Sequence, residues 1–364
     1  FSYLPTPSTN FLHPSSAPAS GGSMLRISGG PFPPSSYDEL LCRFTTLSSP
    51  LENSTTPIHA YTTPAYWVSS SEIVCHTPQN QLPSEGGRVE VQVTTNGQDF
   101  TTPPLILTTY PTPTIRYIDP VIGPARAAGT QVTVYGSGFR NVSTLACRFA
   151  ATSTPATFIS TTRIQCSAPP LASFGEQLEW RDMRFLHNAE WEEEGEEDPR
   201  HRSHFIFPTV HYYPFGLVRD VAVEVTNNAQ DYTEVGRRFV YTSDERVTRV
   251  IPPRFGLSAE LANTVVQTVM VQGMGFVNLT NTLTCKIGKS RVRATFFSAS
   301  LVACAVPGNE LRSGVFLNIE VASNGVDFTA DGVGVRVLPS TPVGFYRPPS
   351  GRGRMFPCPR GTFC

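Results

Sequence analysis

The stretch Gln131–Phe139, QVTVYGSGF, combines a strand pattern with a glycine-rich bend. Val132 and Val134 alternate with polar neighbours, and this period of two predicts a β-strand with one buried face. The glycines that follow predict a bend, because glycine permits a positive φ or the close approach of another backbone. Two strand patterns that each carry a cysteine come next, LACRF (145–149) and RIQCSAP (163–169). This segment therefore predicts an all-β domain built around a pair of cysteines.

The same pattern occurs three times along the chain. LRISGGPF (25–32) and VMVQGMGF (269–276) match the quoted stretch, and each is followed by two cysteine-bearing strand patterns. The first cysteines are Cys42, Cys147 and Cys285, and the second are Cys75, Cys166 and Cys304. A glycine pair can also bind phosphate, but that interpretation needs a helix to begin after the glycines, and strand patterns flank them here. The chain is therefore predicted to consist of tandem repeats.

A third motif closes each repeat: VEVQVTTNGQDF (89–100), VAVEVTNNAQDY (221–232) and LNIEVASNGVDF (317–328). Its alternating valines predict a half-buried strand. Asn96-Gly97 and Asn324-Gly325 predict tight type I′ hairpin turns, because both residue types tolerate a positive φ. The aromatic residue that ends each motif is expected to anchor the returning strand in the core.

Length and composition limit the classes of function. A chain of 364 residues suits about three domains of 100–130 residues. Its 28 Lys and Arg balance 29 Asp and Glu, for a formal net charge of −1, which argues against nucleic acid as the main partner. No apolar run is long enough to predict a membrane span. Paired cysteines without CxxC spacing, recurring with a β-pattern, predict disulfides and an oxidising compartment.

The order of these motifs resembles the IPT/TIG repeat. This immunoglobulin-like fold occurs in plexin- and Met-type receptors, in fibrocystin-like surface proteins and in some transcription factors. The second copy matches best, from Ile118 through Gly123-Pro124 to Tyr232; the third has Pro252–Gly256 where a Pro-xx-Gly-Pro run belongs, and the first is the weakest. The resemblance implies tandem immunoglobulin-like β-sandwiches. Because the cysteines recur at matching motif positions, we expect the disulfides Cys42–Cys75, Cys147–Cys166 and Cys285–Cys304.

Proline-bearing segments predict the boundaries between repeats. The chain start resembles the end of a repeat, so at least one further repeat is expected upstream. The last residues, Cys358-Pro359-Arg360-Gly361-Thr362-Phe363-Cys364, resemble the opening of a Cys-Pro-x-Gly-Thr-x-Cys module, the alternative being a local two-cysteine loop. The predicted units are 1–6 (end of a preceding repeat), 7–110, 111–242, 243–339 and 340–364 (linker and start of a cysteine-rich module).

An insertion at about 172–216 interrupts the second repeat. Its acidic run, Glu192–Asp198, is typical of a solvated surface loop, but many aromatic residues accompany it and favour a docking loop, because aromatics are enriched in interface cores. A rival interpretation is that the insertion covers its own repeat. The predicted interface residues are Trp180, Phe185, Trp191, Phe205, Phe207, Tyr212 and Tyr213. A metal site is not predicted, because the calcium-loop pattern is absent and His201 and His204 lack a third ligand in register.

The functional expectation is a non-enzymatic extracellular protein without a cofactor. No catalytic motif is present. Acceptor sequons at Asn53, Asn141 and Asn278 predict N-linked glycans. The first hypothesis is a structural or adhesive glycoprotein whose repeats are spacers and lateral contacts in a surface or appendage filament; the second is the ligand-binding ectodomain of a plexin/Met-like or fibrocystin-like receptor.

Two further observations bear on that choice. A DNA-binding sandwich of the Rel type is disfavoured, because the chain has no excess of basic residues and because its paired cysteines predict an oxidising compartment. Segments rich in serine, threonine and proline favour a glycosylated surface protein, and this composition resembles the surface glycoproteins of flagellate algae, including mastigoneme-type filaments. The expected location is the cell surface or extracellular space, including the flagellar surface, and the expected partners are neighbouring protein subunits.

Overall fold

The computed structural model describes residues 7–34, 40–46, 59–125, 129–171, 210–213, 216–256, 267–278, 280–338, 344–346 and 355–360. Three large β-structures follow one another along the chain, and a two-stranded pair lies near the C-terminus. The predicted all-β fold is confirmed. The interdomain boundaries predicted after residues 110, 242 and 339 stay predictions.

The first repeat contains eight strands in the order β1-β3-β6-β5-β4-β7-β8-β2. Their bounds are β1 Ser8–His13, β2 Ser16–Pro18, β3 Met24–Gly30, β4 Leu41–Thr46, β5 Ala60–Ser69, β6 Glu72–His76, β7 Gly87–Thr94 and β8 Leu105–Tyr110.

The second and third repeats follow the same plan. In the second, the bounds are β9 Thr114–Asp119, β10 Ile122–Pro124, β11 Gln131–Ser137, β12 Ala146–Phe149, β13 Thr152–Ser160, β14 Arg163–Ser167, β15 Val210–Tyr213, β16 Gly216–Thr226 and β17 Arg237–Thr242. In the third, they are β18 Arg246–Ile251, β19 Arg254–Gly256, β20 Gln267–Met274, β21 Thr284–Ile287, β22 Ser290–Ser298, β23 Leu301–Val306, β24 Phe316–Ala322 and β25 Gly334–Leu338. The final pair is β26 Phe345–Tyr346 with β27 Phe356–Pro357.

In each repeat the strands form two packed layers, and one long bent strand pairs with both of them. In the first repeat, residues 60–64 of β5 pair with β4, and residues 65–69 pair with β6. Strands β13 and β22 divide their pairing in the same way. The short strands β2, β10 and β19 lie at a sheet edge and pair in parallel with the last strand of their own repeat. This arrangement is a sandwich with an apolar interior between the layers.

The residues that the alternating patterns predict to face the core are buried. Val89, Val91 and Val93 are fully buried, and the intervening residues of β7 are exposed or half-buried. The aromatic residues after the glycine bends, Phe32, Phe139 and Phe276, are also buried in the three cores.

The glycine bends have a clear steric reason. A Cβ on Gly136 would lie 1.9 Å from the Thr114 carbonyl oxygen, and one on Gly273 would lie 2.0 Å from that of Arg246. Any side chain there would force the first strand of the repeat off the sheet. The close approach predicted from the sequence is therefore what the bend requires.

The Asn-Gly segments differ from the predicted type I′ turns. The residue with positive φ is the one after the asparagine, Gly97 or Gly325, at 72° in both cases, whereas a type I′ turn needs positive φ at two consecutive residues. Thr94 bridges to Phe100, so five residues form the loop. The type I′ prediction is wrong because the asparagine side chain, rather than a two-residue backbone turn, organises this loop.

Candidate interaction surfaces

The six cysteines of the repeats lie in the cores. The structure joins Cys42 to Cys75, Cys147 to Cys166 and Cys285 to Cys304, with Cα–Cα distances of 6.4, 6.2 and 6.0 Å. Each bridge links a strand of one layer to a strand of the other. Near the C-terminus, Cys358 is disulfide-bonded, and Cys364 lies outside the described residues.

The sequons occupy equivalent surface positions. Asn141 and Asn278 both follow the glycine bend of their repeat, and both are exposed. Asn53 lies outside the described residues. The two described acceptors are therefore accessible on the folded repeats, and their glycosylation stays a prediction.

Most of the predicted docking loop falls outside the described residues, namely Trp180, Phe185, Trp191, Phe205 and Phe207. Tyr212 and Tyr213 belong to β15, whose backbone pairs antiparallel with residues 216–219 of β16. The C-terminal end of the insertion is thus a strand of its own repeat rather than part of a separate loop.

A basic side chain covers the aromatic residue of each Asn-x-x-Asp turn. The guanidinium of Arg43 lies 3.7 Å from the ring centroid of Phe100, and that of Arg148 lies 3.9 Å from the ring of Tyr232. In the third repeat Arg291 lies 5.1 Å from the ring of Phe328. These rings are half-buried, so they lie at the sandwich surface beneath a cation rather than in the core as expected.

The Asn-x-x-Asp turn of the second repeat contacts the first repeat. Asn228 Nδ2 donates to the carbonyl oxygen of Ser16 at 2.9 Å, and Gln230 Nε2 donates to that of Met24 at 2.9 Å. Asn228 is only 6% exposed, although it is on a turn. We name this contact junction 1–2.

The corresponding turn of the third repeat contacts the second repeat in the same way. Asn324 Nδ2 donates to the carbonyl oxygen of Ile122 at 3.1 Å, and Asn324 is also 6% exposed. The Thr130 hydroxyl donates to Asp327 Oδ2 at 2.6 Å, which adds a hydrogen bond to a charged group. We name this contact junction 2–3.

The acceptors of the two junction asparagines are edge-strand carbonyls. The last strand of each repeat bonds to the neighbouring carbonyl, that of Ser15 or Val121. Alternation along a strand then points the carbonyls of Ser16 and Ile122 away from their own sheet. An edge carbonyl in a contact needs a donor, and the asparagine of the next repeat supplies it.

Tyr110 lies buried where the first repeat meets the second. The guanidinium of Arg140 is 5.2 Å from its ring centroid. Burial raises the pKa of Tyr110 above its usual range, Asp231 of the second repeat raises it further, and Arg140 opposes the rise. Within the second repeat, burial likewise raises the pKa of Tyr241, whose hydroxyl donates to the Pro169 carbonyl at 2.6 Å.

An exposed apolar residue occupies the bulge of the long bent strand in every repeat. These residues are Val68, Ile159 and Phe297. In the first repeat Tyr66 and Trp67 are exposed beside the bulge. Exposed apolar groups of this kind are typical of interaction surfaces when they form a contiguous patch.

The described part of the chain contains neither a metal-ligand cluster nor a membrane-spanning helix. No group of three or more His, Cys, Asp or Glu side chains there is placed to hold a metal ion. No helix among those residues has the length and apolarity needed to cross a bilayer.

Sequence reasoning missed the junction residues. The Asn-x-x-Asp spacing occurs in all three closing motifs, including the second, where alanine replaces glycine. Retention of the asparagine and aspartate without the glycine was the available signal that the side chains, not only the turn, have a role.

The comparison with known domain families agrees with this architecture. The sequence model of the IPT/TIG domain matches residues 7–110, 113–179 and 261–336. A search of curated proteins found no significant match. Similar solved structures include the plexin A4 extracellular region, with 15% identity and a TM-score of 0.37, covering 94% of this chain and 25% of that one. The human Desmocollin-1 ectodomain is 10% identical with a TM-score of 0.17, covering 95% of this chain and 60% of that one.

This chain spans 25% of the length of the plexin structure. The three segments that match the domain family cover more than half of the residues, and each contains motifs described above. The chain belongs to the IPT/TIG domain family.

Proposed function

We propose that this chain is a non-enzymatic part of an extracellular or cell-surface glycoprotein, in which the repeats act as spacers and lateral-contact modules. The observation that carries the proposal is the repeated construction: each sandwich closes its own core around a buried disulfide, and the same polar turn joins the second and third sandwiches to the repeat before them. A series of self-contained repeats with repeated junctions provides reach and surface.

The disulfides support the extracellular location. Such bonds form and persist in oxidising compartments and are rare in the cytosol. The exposed sequons at Asn141 and Asn278 are compatible with glycans on the folded protein. Within this proposal, an appendage filament of the flagellar surface is the specific setting suggested by the composition, and residues 358–364 are the start of a cysteine-rich module.

We further propose the insertion as the lateral contact, with its tryptophans as buried anchors and its acidic run at the solvated rim. The position of strand β15 determines where a deletion of the insertion must end. Deleting residues 178–209 removes the aromatic and acidic segment and keeps the residues that pair with β16.

The test is sedimentation of the native protein and of this deletion variant. We expect loss of self-association or partner binding, with the melting of the second repeat unchanged. Unfolding of the second repeat without any change in association would contradict a lateral contact and favour a cover for its own repeat. Peptide mapping of native material for glycans at the three sequons tests the location separately.

The alternative is the ligand-binding ectodomain of a plexin/Met-like or fibrocystin-like receptor. The exposed apolar side chains of Tyr66, Trp67 and Val68 favour it, because such groups suit a binding surface. Replacing Trp67 by serine would reduce ligand capture in the receptor case and leave filament assembly unchanged in the structural case.

A further inference from the structure

The three Asn-x-x-Asp turns share their internal hydrogen bonds. The Oδ1 of Asn96 accepts from the backbone N–H of Gln98 and Asp99, and Asn324 accepts from the corresponding residues of its turn. One hydrogen of each asparagine amide goes to the aspartate of the same turn, at 2.8, 2.8 and 2.7 Å in the three repeats. The turns are therefore built alike before any neighbour is considered.

The three turns differ in the second amide hydrogen. In Asn228 and Asn324 it is donated to the preceding repeat, and both side chains are buried. In the first repeat Asn96 is exposed, and its second amide hydrogen has no acceptor among the residues that the structure describes. The Gln98 amide is likewise exposed and, within the same residues, makes no side-chain hydrogen bond.

The first turn is chemically a copy of the second. Asn96-Gly97-Gln98-Asp99 carries the same three polar side chains as Asn228-Ala229-Gln230-Asp231. In junction 1–2, two of these side chains, Asn228 and Gln230, donate to carbonyls of the first repeat. The aromatic residue of the first turn is also fixed by a cation, Arg43. The first turn is thus preformed and equipped for the same pair of acceptors.

We propose that the Asn96–Asp99 turn is a docking surface for a further IPT/TIG-type repeat that precedes the first one. That repeat offers Asn96 the outward carbonyl of its short parallel edge strand, and offers Gln98 a carbonyl at the start of the following strand. The direction follows from polarity, because in both observed junctions the turn belongs to the later repeat and the edge strand to the earlier one. The proposal does not depend on where the protein acts.

The experiment uses deamidation as a measure of docking. The backbone nitrogen of the next residue attacks the asparagine side-chain carbonyl carbon, the carbon–nitrogen bond of the amide breaks, ammonia leaves, and water opens the resulting succinimide. Asn96 and Asn324 form a matched pair, because glycine follows both and that glycine has the same φ of 72°. In the present chain we expect Asn96 to deamidate about fivefold faster or more, as loss of one hydrogen bond would produce.

The same measurement is then made on a chain that is extended by one repeat. A copy of residues 7–110 carrying Asn96→Ala is placed directly ahead of Pro5, so that Pro5-Thr6-Pro7 reproduces the junction sequence Pro111-Thr112-Pro113. The original Asn96 is then the only asparagine at that position. We expect its deamidation to slow to the rate of Asn324 in the same molecule.

Gln98→Ala in the original repeat provides the coupling control. It should speed deamidation of Asn96 in the extended chain and leave the rate unchanged in the present chain. An Asn96 that deamidates equally fast in both chains, while Asn324 stays slow, would overturn the proposal and point to a solvated turn or to a partner of another kind. Equal rates at Asn96 and Asn324 in the present chain would also overturn it, because docking would then give no protection.

Discussion

The interior of the second repeat and the two junctions that flank it are built from different interactions. The interior is an apolar cluster around a buried disulfide, with Phe149 and Phe239 packed edge to face. The junctions consist of side-chain amides and a hydroxyl that bond to backbone carbonyls and one carboxylate. Apolar burial is strong and non-directional, whereas hydrogen bonds are weaker and fix geometry. The difference indicates that stability resides in the repeats and relative placement in the turns.

Removing the disulfide of the second repeat tests the interior and has the largest expected effect. The double variant Cys147→Ala, Cys166→Ala should lower the free energy of unfolding of that repeat by about 2–5 kcal/mol, because the bridge restricts the unfolded chain. Denaturant unfolding followed by hydrogen exchange resolved by repeat measures it. The third repeat should keep its own stability, and a parallel loss there would contradict the idea of self-contained cores.

Removing the Thr130 hydroxyl tests junction 2–3. Thr130→Val should weaken the coupling between the second and third repeats by about 1.5–3 kcal/mol, since the lost hydrogen bond reaches a carboxylate. The measurement is the difference in unfolding free energy between the variant and the parent protein.

Ser23 is the matched control for Thr130. Its carbonyl accepts from Thr77 as that of Thr130 accepts from Ala168, but its buried hydroxyl has no hydrogen-bond partner in the described part of the structure. Ser23→Ala should therefore not lower stability, because it loses no hydrogen bond and removes an unpaired buried hydroxyl. Equal losses in the two variants would show that the hydroxyl of Thr130 acts within its own repeat.

The loss of stability at alkaline pH allows the interior of the second repeat to be compared with junction 1–2. The raised pKa values of Tyr241 and Tyr110 mean that the unfolded chain releases these protons first, so stability is complete below pH 10 and falls as pH rises above it. Each tyrosine contributes a slope of up to about 1.4 kcal/mol per pH unit.

Phenylalanine variants separate the two tyrosines in urea titrations at several pH values. Tyr241→Phe should remove its share of the slope from the second repeat, at the cost of about 1 kcal/mol for the lost hydrogen bond to Pro169. Tyr110→Phe should reduce the slope for the first repeat. An unchanged slope in both variants would mean that other groups govern alkaline unfolding.

The smallest expected effect comes from a single junction amide. Gln230→Ala should lower the coupling between the first and second repeats by about 0.5–1.5 kcal/mol, because one hydrogen bond to Met24 is lost. Gln98→Ala, at the equivalent exposed position, should have no measurable effect on this chain. Hydrogen exchange resolved by repeat detects the difference, and a similar effect of both variants would assign the role of the glutamine to the turn itself.

Much of the fold followed from local patterns. The period of two in the closing motifs predicted which valines are buried, and the first glycine of each bend was required by a close backbone approach. The turn type was predicted incorrectly, because the asparagine side chain replaces backbone contacts that the two-residue rule assumes. The bent strands β5, β13 and β22 were not foreseen, since their division between two layers depends on partners far apart in sequence.

The sequence by itself determined the repeats, their strands, the matching cysteine positions and the family, because each depends on residue types at short and regular spacing. Only the tertiary structure decided which turns are docked and which one is exposed. Asn324 and Ile122 are 202 residues apart, and Asn228 and Ser16 are 212 residues apart. No local pattern relates such residues, since their contact exists only when two separately folded sandwiches bring an outward edge carbonyl and a turn amide within hydrogen-bonding distance.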